Sequence, residues 1–94
     1  MNKFRNKIIK EKITFIKLPK TITNIPNAAF FCCYSLKEVI ASEKLKTIGR
    51  NAFYDCTSLV RVSIPSSVNL IDVGAFFGCS SLKKFDFPDS LEII

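Results

Sequence analysis

The chain has 94 residues, 48% of them hydrophobic and 23% charged, and a formal net charge of +6. This length suits one domain, and no apolar run approaches the roughly 18 residues of a membrane-spanning helix, so the sequence contains no transmembrane segment. The lack of histidine excludes a Ser-His-Asp triad and every histidine-containing zinc site.

The N-terminal arm, residues 1–12, lies in the basic part of the chain. Residues 1–20 contain seven basic side chains and only Glu11 as an acid, whereas charges balance over the remainder. The arm is either a tail that contacts phosphate or an anionic membrane surface, or a solvated end or polar cap over the first coil. It lacks the apolar stretch of about 7–15 residues that a secretory signal needs. A cytosolic protein is therefore expected if Met1 is the true start.

Beyond the arm, the sequence predicts short strands that alternate with returns and turns. Apolar residues at alternate positions indicate strands with one face inward, as in Ile13 to Leu18. The expected strands are residues 13–18, 37–41, 60–64 and 83–87, the first return is 21–28, and the turns are 29–34, 52–57 and 75–80. Phe and Cys lie three apart in each turn, which favours a single helical turn with both on one side.

These elements recur every 23 residues. Ala29, Ala52 and Ala75 each open an Ala-Phe-x-x-Cys turn. A fixed period of about 20–50 residues is typical of a solenoid, and each coil should climb one strand spacing of about 4.8 Å. Equivalent residues should then stack in columns, among them Phe30/Phe53/Phe76, Cys33/Cys56/Cys79, Leu36/Leu59/Leu82 and Ile25/Ile48/Ile71/Ile94.

At these residues the chain resembles the BspA-type leucine-rich repeat family, whose pattern is roughly L-x-x-I-x-I-P-x-x-V-x-x-I-G-x-x-A-F-x-x-C-x-x-L. Leu36 to Ile94 follows the pattern almost column by column, and Ile13 to Phe30 follows it loosely. The chain departs from the pattern in two ways. Ser42 replaces the strand-ending proline of the second coil, and only Gly49 keeps the glycine of the pattern.

The expected fold is an α/β solenoid, a short leucine-rich repeat array with a parallel β-sheet on one face and short helical turns on the other. The array covers residues 13–94, with four strands and three turns. Because Ile94 falls where another turn would begin, we expect the array to be truncated at its C-terminal end. Such an open end favours end-to-end self-association.

The cysteines and serines of the turns invite chemical interpretations. A zinc site needs close cysteine pairs such as C-x₂-C, and none is present. Cys33, Cys56 and Cys79 are therefore expected in the core and Cys32 towards solvent. Ser35, Ser58 and Ser81 have no histidine to act as base, so their hydroxyls are expected to bond to backbone groups. We predict no catalytic, cofactor or metal site; a thiol hydrolase using Cys32 is the enzyme alternative.

A second aromatic column, Phe31, Tyr54 and Phe77, lies beside the buried phenylalanines. It is interpreted either as an exposed ridge or as a half-buried ladder that covers the turn below it, with the ladder favoured because the packing recurs at every coil.

The outward strand positions are the best candidate binding surface. They vary in chemistry from coil to coil, whereas the core columns do not. The candidate residues are Phe15, Lys17, Glu38, Ile40, Arg61, Ser63, Lys84 and Asp86. Solenoids commonly bind along such a surface, although the same residues would also serve merely to solubilise the sheet.

The predicted function is a non-enzymatic module that binds a protein partner along the strand face. No specific nucleic acid is expected. The resemblance implies a setting at a microbial cell surface, with adhesion as the role. The alternative is a structural stacking segment of a longer repeat protein.

Overall fold

The computed structural model describes residues 10–83 and 92–93. They form a β-solenoid of about three coils. Its strands are β1 (Phe15–Lys17), β2 (Asn24–Ile25), β3 (Glu38–Ile40), β4 (Thr47–Ile48), β5 (Arg61–Ser63), β6 (Leu70–Ile71) and β7 (Glu92–Ile93). All pairings are parallel, in two sheets with the orders β1-β3-β5 and β2-β4-β6-β7.

Equivalent residues of successive coils lie level with one another. Ile16 pairs with Val39, which in turn pairs with Val62. The return strands β2, β4 and β6 keep the same 23-residue offset. The predicted columns are thus confirmed for these strands, because a constant repeat length lets every coil hydrogen-bond to the next in the same register.

The core lies between the two sheets and the turns. Its largest fully buried side chains are those of Leu36, Val39, Leu45, Ile48, Phe53, Leu59, Val68, Cys33 and Cys56. Within the described part of the chain no polar or charged residue is buried as a whole. Since burying one Leu, Val, Ile or Phe side chain stabilises a fold by about 1.5–3 kcal/mol, these columns account for the stacking of the coils.

The return segments form a second sheet, which the sequence reading did not predict. Ile25 and Ile48 point into the core from β2 and β4, while Asn24 and Thr47 beside them do not. Each return strand has only two residues, too short for an alternating pattern to be recognised. Each return segment is a strand because it forms backbone hydrogen bonds with the equivalent segment of the next coil.

The turn segments are not helical, so the prediction of helical turns opposite the sheet is wrong. Asn51 and Asp55 have left-handed backbones, with φ of 55° and 56°, and an α-helix does not accommodate such residues. Alternate N–H groups donate to the next coil instead: Phe53 N to Ala75 O and Asp55 N to Phe77 O, both at 2.7 Å. The turn therefore belongs to the inter-coil ladder.

The three-residue spacing that suggested a helix has another cause. Cys56 N donates to Phe53 O at 3.2 Å, and Tyr54 N donates to Asn51 O at 3.2 Å. These bonds join residues three apart within successive tight turns, so Phe53 and Cys56 share one side without a helix.

The last strand departs from the 23-residue register. β7 pairs Glu92 with Leu70 and Ile93 with Ile71, whereas the sequence predicted Ile94 level with Ile71. Ile93 and Ile94 are neighbours of one type, so either of them can supply an isoleucine level with Ile71. The structure selects the shorter register and leaves Ile93 54% exposed.

Several predictions lie outside the described residues. They concern residues 84–87 of the predicted fourth strand, including the candidate site residues Lys84 and Asp86, and the arm up to residue 9.

Candidate functional site

The outward side chains of β1, β3 and β5 form two parallel rows, which we call the strand face. Phe15, Glu38 and Arg61 are level in one row. Lys17, Ile40 and Ser63 are level in the other. The predicted site residues of the first three coils are thus brought together, while Lys84 and Asp86 lie outside the described residues.

Exposure along the strand face follows the predicted alternation. In β1, Phe15 and Lys17 are exposed while Ile16 between them is partly buried. Phe15 is 50% exposed and Ile40 is 36% exposed. Two large apolar side chains therefore face outward where packing does not require them.

Ser63 has a structural contact within the strand face. Its Oγ accepts a hydrogen bond from the Ala41 N–H at 2.9 Å. In the coil before, the equivalent Leu18 N–H donates to Ile40 O at 2.9 Å, a backbone carbonyl. The Ser63 hydroxyl thus replaces a backbone acceptor. Of the strand-face residues, Ser63 is the one whose presence is best explained by a structural role.

Beside the strand face, where β1 and β3 end, the surface is hollow. This strand-end groove has a volume of about 380 Å³ and is lined by Lys17, Leu18, Lys20 and residues 40–44. Ser42 Oγ is buried there without a hydrogen-bond partner among the described residues. Sequence reasoning missed the groove as a site, although its signal was present: Ser42 occupies the position of a strand-ending proline.

The cysteine column is confirmed. Cys33 and Cys56 are fully buried and Cys79 is half-buried. Cys56 Sγ donates to Phe30 O, and Cys79 Sγ donates to Phe53 O, both at 3.1 Å. Each thiol therefore ties its coil to a carbonyl of the coil before.

The surroundings also make the thiols of Cys56 and Cys79 poor nucleophiles, whereas the hydrogen bond with Cys56 lowers the pKa of Cys33. A hydrogen bond with the Cys33 sulfur, together with burial, raises the pKa of Cys56, and burial raises the pKa of Cys79 to about 11. A raised pKa leaves little thiolate, the reactive form, at neutral pH. Cys32 lies outside the column and is half-buried.

Two of the three turn serines, Ser35 and Ser81, bond to backbone groups as expected. Ser35 Oγ donates to Glu11 O and Ser81 Oγ donates to Thr57 O, each at 2.6 Å. Each hydroxyl donates to a carbonyl of the neighbouring coil and so helps to hold the coils together.

Both aromatic columns are stacked. Phe53 lies between Phe30 and Phe76, with ring centroids 5.3 and 5.2 Å away. In the outer column Phe31, Tyr54 and Phe77 follow at 4.9 and 5.2 Å. Phe31 and Tyr54 are half-buried, as a covering ladder requires, while Phe77 is 62% exposed.

The described part of the chain has neither a metal-binding cluster nor a membrane-spanning helix. There, no three His, Cys, Asp or Glu side chains group together as a metal site would need. No helix among the described residues has the length and apolarity to cross a membrane.

Comparison with known proteins adds a family and two similar structures. The sequence model described as BspA type Leucine rich repeat region matches residues 3–94 in six copies. A leucine-rich repeat protein of T. pallidum is 34% identical with a TM-score of 0.82, covering 87% of this chain and 41% of its own. One from Bacteroides ovatus is 30% identical with a TM-score of 0.79, covering 85% of this chain and 24% of its own. No curated protein matches the sequence.

Proposed function

Because the chain belongs to the BspA-type leucine-rich repeat family, we propose that it is a non-enzymatic module that binds a protein partner along the strand face. Repeats of this family are generally scaffolds for protein interaction or structure. Solenoid arrays present extended surfaces for such binding, built from positions that the core does not constrain.

The observation that carries the proposal is the contrast between inward and outward columns. Inward, Ile16, Val39 and Val62 keep one chemical type in successive coils. Outward and one residue away, the row of Phe15, Glu38 and Arg61 changes from apolar to acidic to basic. A surface freed from core constraints and varied in this way supports recognition of a specific partner.

Phe15 and Ile40 are the expected anchors of this interaction. Both are large, apolar and exposed on the strand face. Interface cores are enriched in aromatic residues and depleted of charge, with polar residues at the rim. Lys17 and Arg61 beside them fit the rim. The resemblance to BspA-type proteins further supports adhesion at a cell surface as the setting.

Site-specific photo-crosslinking tests the proposal. A photoreactive phenylalanine analogue replaces Phe15 or Arg61 on the strand face, or Thr57 or Asn69 as exposed controls elsewhere. The proteins are irradiated in an extract of the source cells. We expect both strand-face positions to capture the same partner and the controls to capture none of it. Capture from Thr57 and Asn69 alone would place the interaction on another face and contradict the proposal.

A second candidate is a structural stacking segment of a longer array. The two similar structures favour it, since this chain spans 41% and 24% of their lengths. If the array stacks end to end, light scattering should give a mass that rises with concentration above the 10.6 kDa of one chain. A constant mass of one chain would oppose stacking.

A further inference from the structure

The strand-end groove exists because the second coil is smaller at its strand end than its neighbours. Leu18-Pro19 and Ile64-Pro65 end the strands of the first and third coils, but Ala41-Ser42 ends that of the second. Replacing Leu or Ile by Ala and Pro by Ser leaves space above Leu18. The resulting volume, about 380 Å³, falls within the range of about 300–1,000 Å³ for ligand pockets.

The groove combines an apolar floor with a basic rim. Leu18 and Ile40 supply aliphatic surface, and Leu18 is 8% exposed. Among the described residues, Lys17, Lys20 and Lys44 line the groove against a single acidic residue, Glu43. The whole lining therefore carries a net positive charge, and a ligand with both negative and aliphatic groups complements it.

Ser42 adds a polar group that folding leaves unsatisfied. Its Oγ is buried and has no partner among the described residues. Buried polar groups are nearly always hydrogen-bonded, so an unpaired hydroxyl in a groove wall calls for an explanation. Because this oxygen is closed off from solvent, ligand binding in the groove depends on its lysines and its aliphatic floor rather than on Ser42.

We propose that the strand-end groove binds an acidic peptide segment, with its carboxylates on the lysines and an aliphatic side chain on Leu18 and Ile40. Nucleic acid is disfavoured, because the described lining residues include no aromatic side chain for base stacking. It also contains no arginine, whose planar fork is the preferred partner of phosphate. The inference rests on the proposed function in that Lys17 and Ile40 belong to both the groove and the strand face.

Fluorescence anisotropy with a dye-labelled peptide of alternating glutamate and leucine tests this site. A peptide of alternating glutamine and leucine and a labelled single-stranded oligonucleotide are the ligand controls. We expect the glutamate peptide to bind at least about tenfold tighter than the glutamine peptide, because charge complementarity selects it. Absence of binding, equal binding of both peptides, or tighter binding of the oligonucleotide would each overturn the proposal.

Charge variants locate the binding site. Lys20→Glu with Lys44→Glu should weaken glutamate-peptide binding by about tenfold or more, because like charges repel in the groove. Lys37→Glu with Lys83→Glu makes the same charge change at exposed positions outside the lining and should change affinity by less than about twofold. Equal losses in the two double variants would show a diffuse charge effect and overturn the site.

A variant that fills the groove distinguishes peptide binding in the groove from partner binding along the strand face. Ala41→Ile with Ser42→Pro copies the third coil's Ile64-Pro65, leaves every lysine in place and should keep the melting temperature. Peptide binding should be lost while crosslinking from Arg61 persists; unchanged peptide affinity would overturn the groove alone. If crosslinking fails from the strand face while peptide binding holds, the proposed function fails and the groove stands.

Discussion

Phe53 shows how one side chain supports three coils at once. It is fully buried and stacks between Phe30 and Phe76. The backbone carbonyl of Phe53 accepts a hydrogen bond from the thiol of Cys79 at 3.1 Å. The side chain and the backbone of Phe53 thus both contact neighbouring coils, so a substitution here should also weaken the packing of those coils.

The residue-scale prediction is that Phe53→Ala lowers the free energy of unfolding by about 3–5 kcal/mol, because it leaves a cavity inside the phenylalanine column. Urea denaturation measures the change. Phe77→Ala, in the outer and 62% exposed position, is the matched control and should cost less than about 1 kcal/mol. A loss at Phe53 as small as that at Phe77 would show that the inner column is not the core.

Thiol reactivity gives a second prediction at this scale. A thiol-reactive dye at neutral pH should label Cys32 before Cys33, Cys56 and Cys79. Burial raises the pKa of Cys79 from its ordinary 9.0 to about 11, so its thiolate fraction and labelling rate should still be rising as pH increases from 9 to 11. Peptide mass spectrometry after timed labelling distinguishes the four sites. Equal rates at neutral pH would contradict the placement of the column.

Among the structural elements, the turns are formed by residues with a left-handed backbone conformation rather than by a helix. Gly74 and Gly78 have φ of 68° and 78°, level with Asn51 and Asp55 in the coil before. A Cβ on Gly78 would also collide with the Asp55 side chain. These positions hold glycine in the third coil and Asn and Asp in the second, the residues that tolerate this backbone best, whereas the first coil holds Ala28 and Cys32 there at φ of 57° and 60°.

Gly78→Ala should accordingly destabilise the protein by about 1–3 kcal/mol, through strain at positive φ and the contact with Asp55. Ser80→Ala, two residues on and exposed, should cost less than about 0.5 kcal/mol. Thermal denaturation of the pair supplies the measurement. If Gly78→Ala were neutral or stabilising, the left-handed turn would be refuted.

In the whole molecule, residues at the end of the arm lie against the first coil. Residues 10–12 are helical. The Glu11 carbonyl accepts a hydrogen bond from the Ser35 hydroxyl at 2.6 Å. Lys10 Nζ lies 6.0 Å from the ring centre of Phe31, in the range of a cation–π contact. These contacts at the end of the arm support its interpretation as a cap.

Deleting residues 1–12 should leave a folded array with a lower melting temperature. The loss of the Ser35 hydrogen bond and the Lys10 contact should cost about 1–2 kcal/mol. Circular dichroism during heating records both fold and midpoint. An unchanged midpoint would mean that the arm does not cap the first coil; affinity for polyanions, measured on the same pair, tests the tail interpretation separately.

The sequence by itself determined the repeat, because identical spacing of Ala29, Ala52 and Ala75 forces equivalent residues into columns once the coils stack. It also predicted the inward and outward alternation of β1, β3 and β5, which depends on the period-two geometry of a strand. The strand-face residues of these strands followed from that alternation.

Only the tertiary structure decided the second sheet, the left-handed turns and the register of β7. Each depends on hydrogen bonds between coils, such as Phe53 N to Ala75 O, and such bonds leave no local pattern in two-residue strands or tight turns. The groove at Ser42 was decided in the same way, since the space around a small residue depends on what the neighbouring coils place beside it.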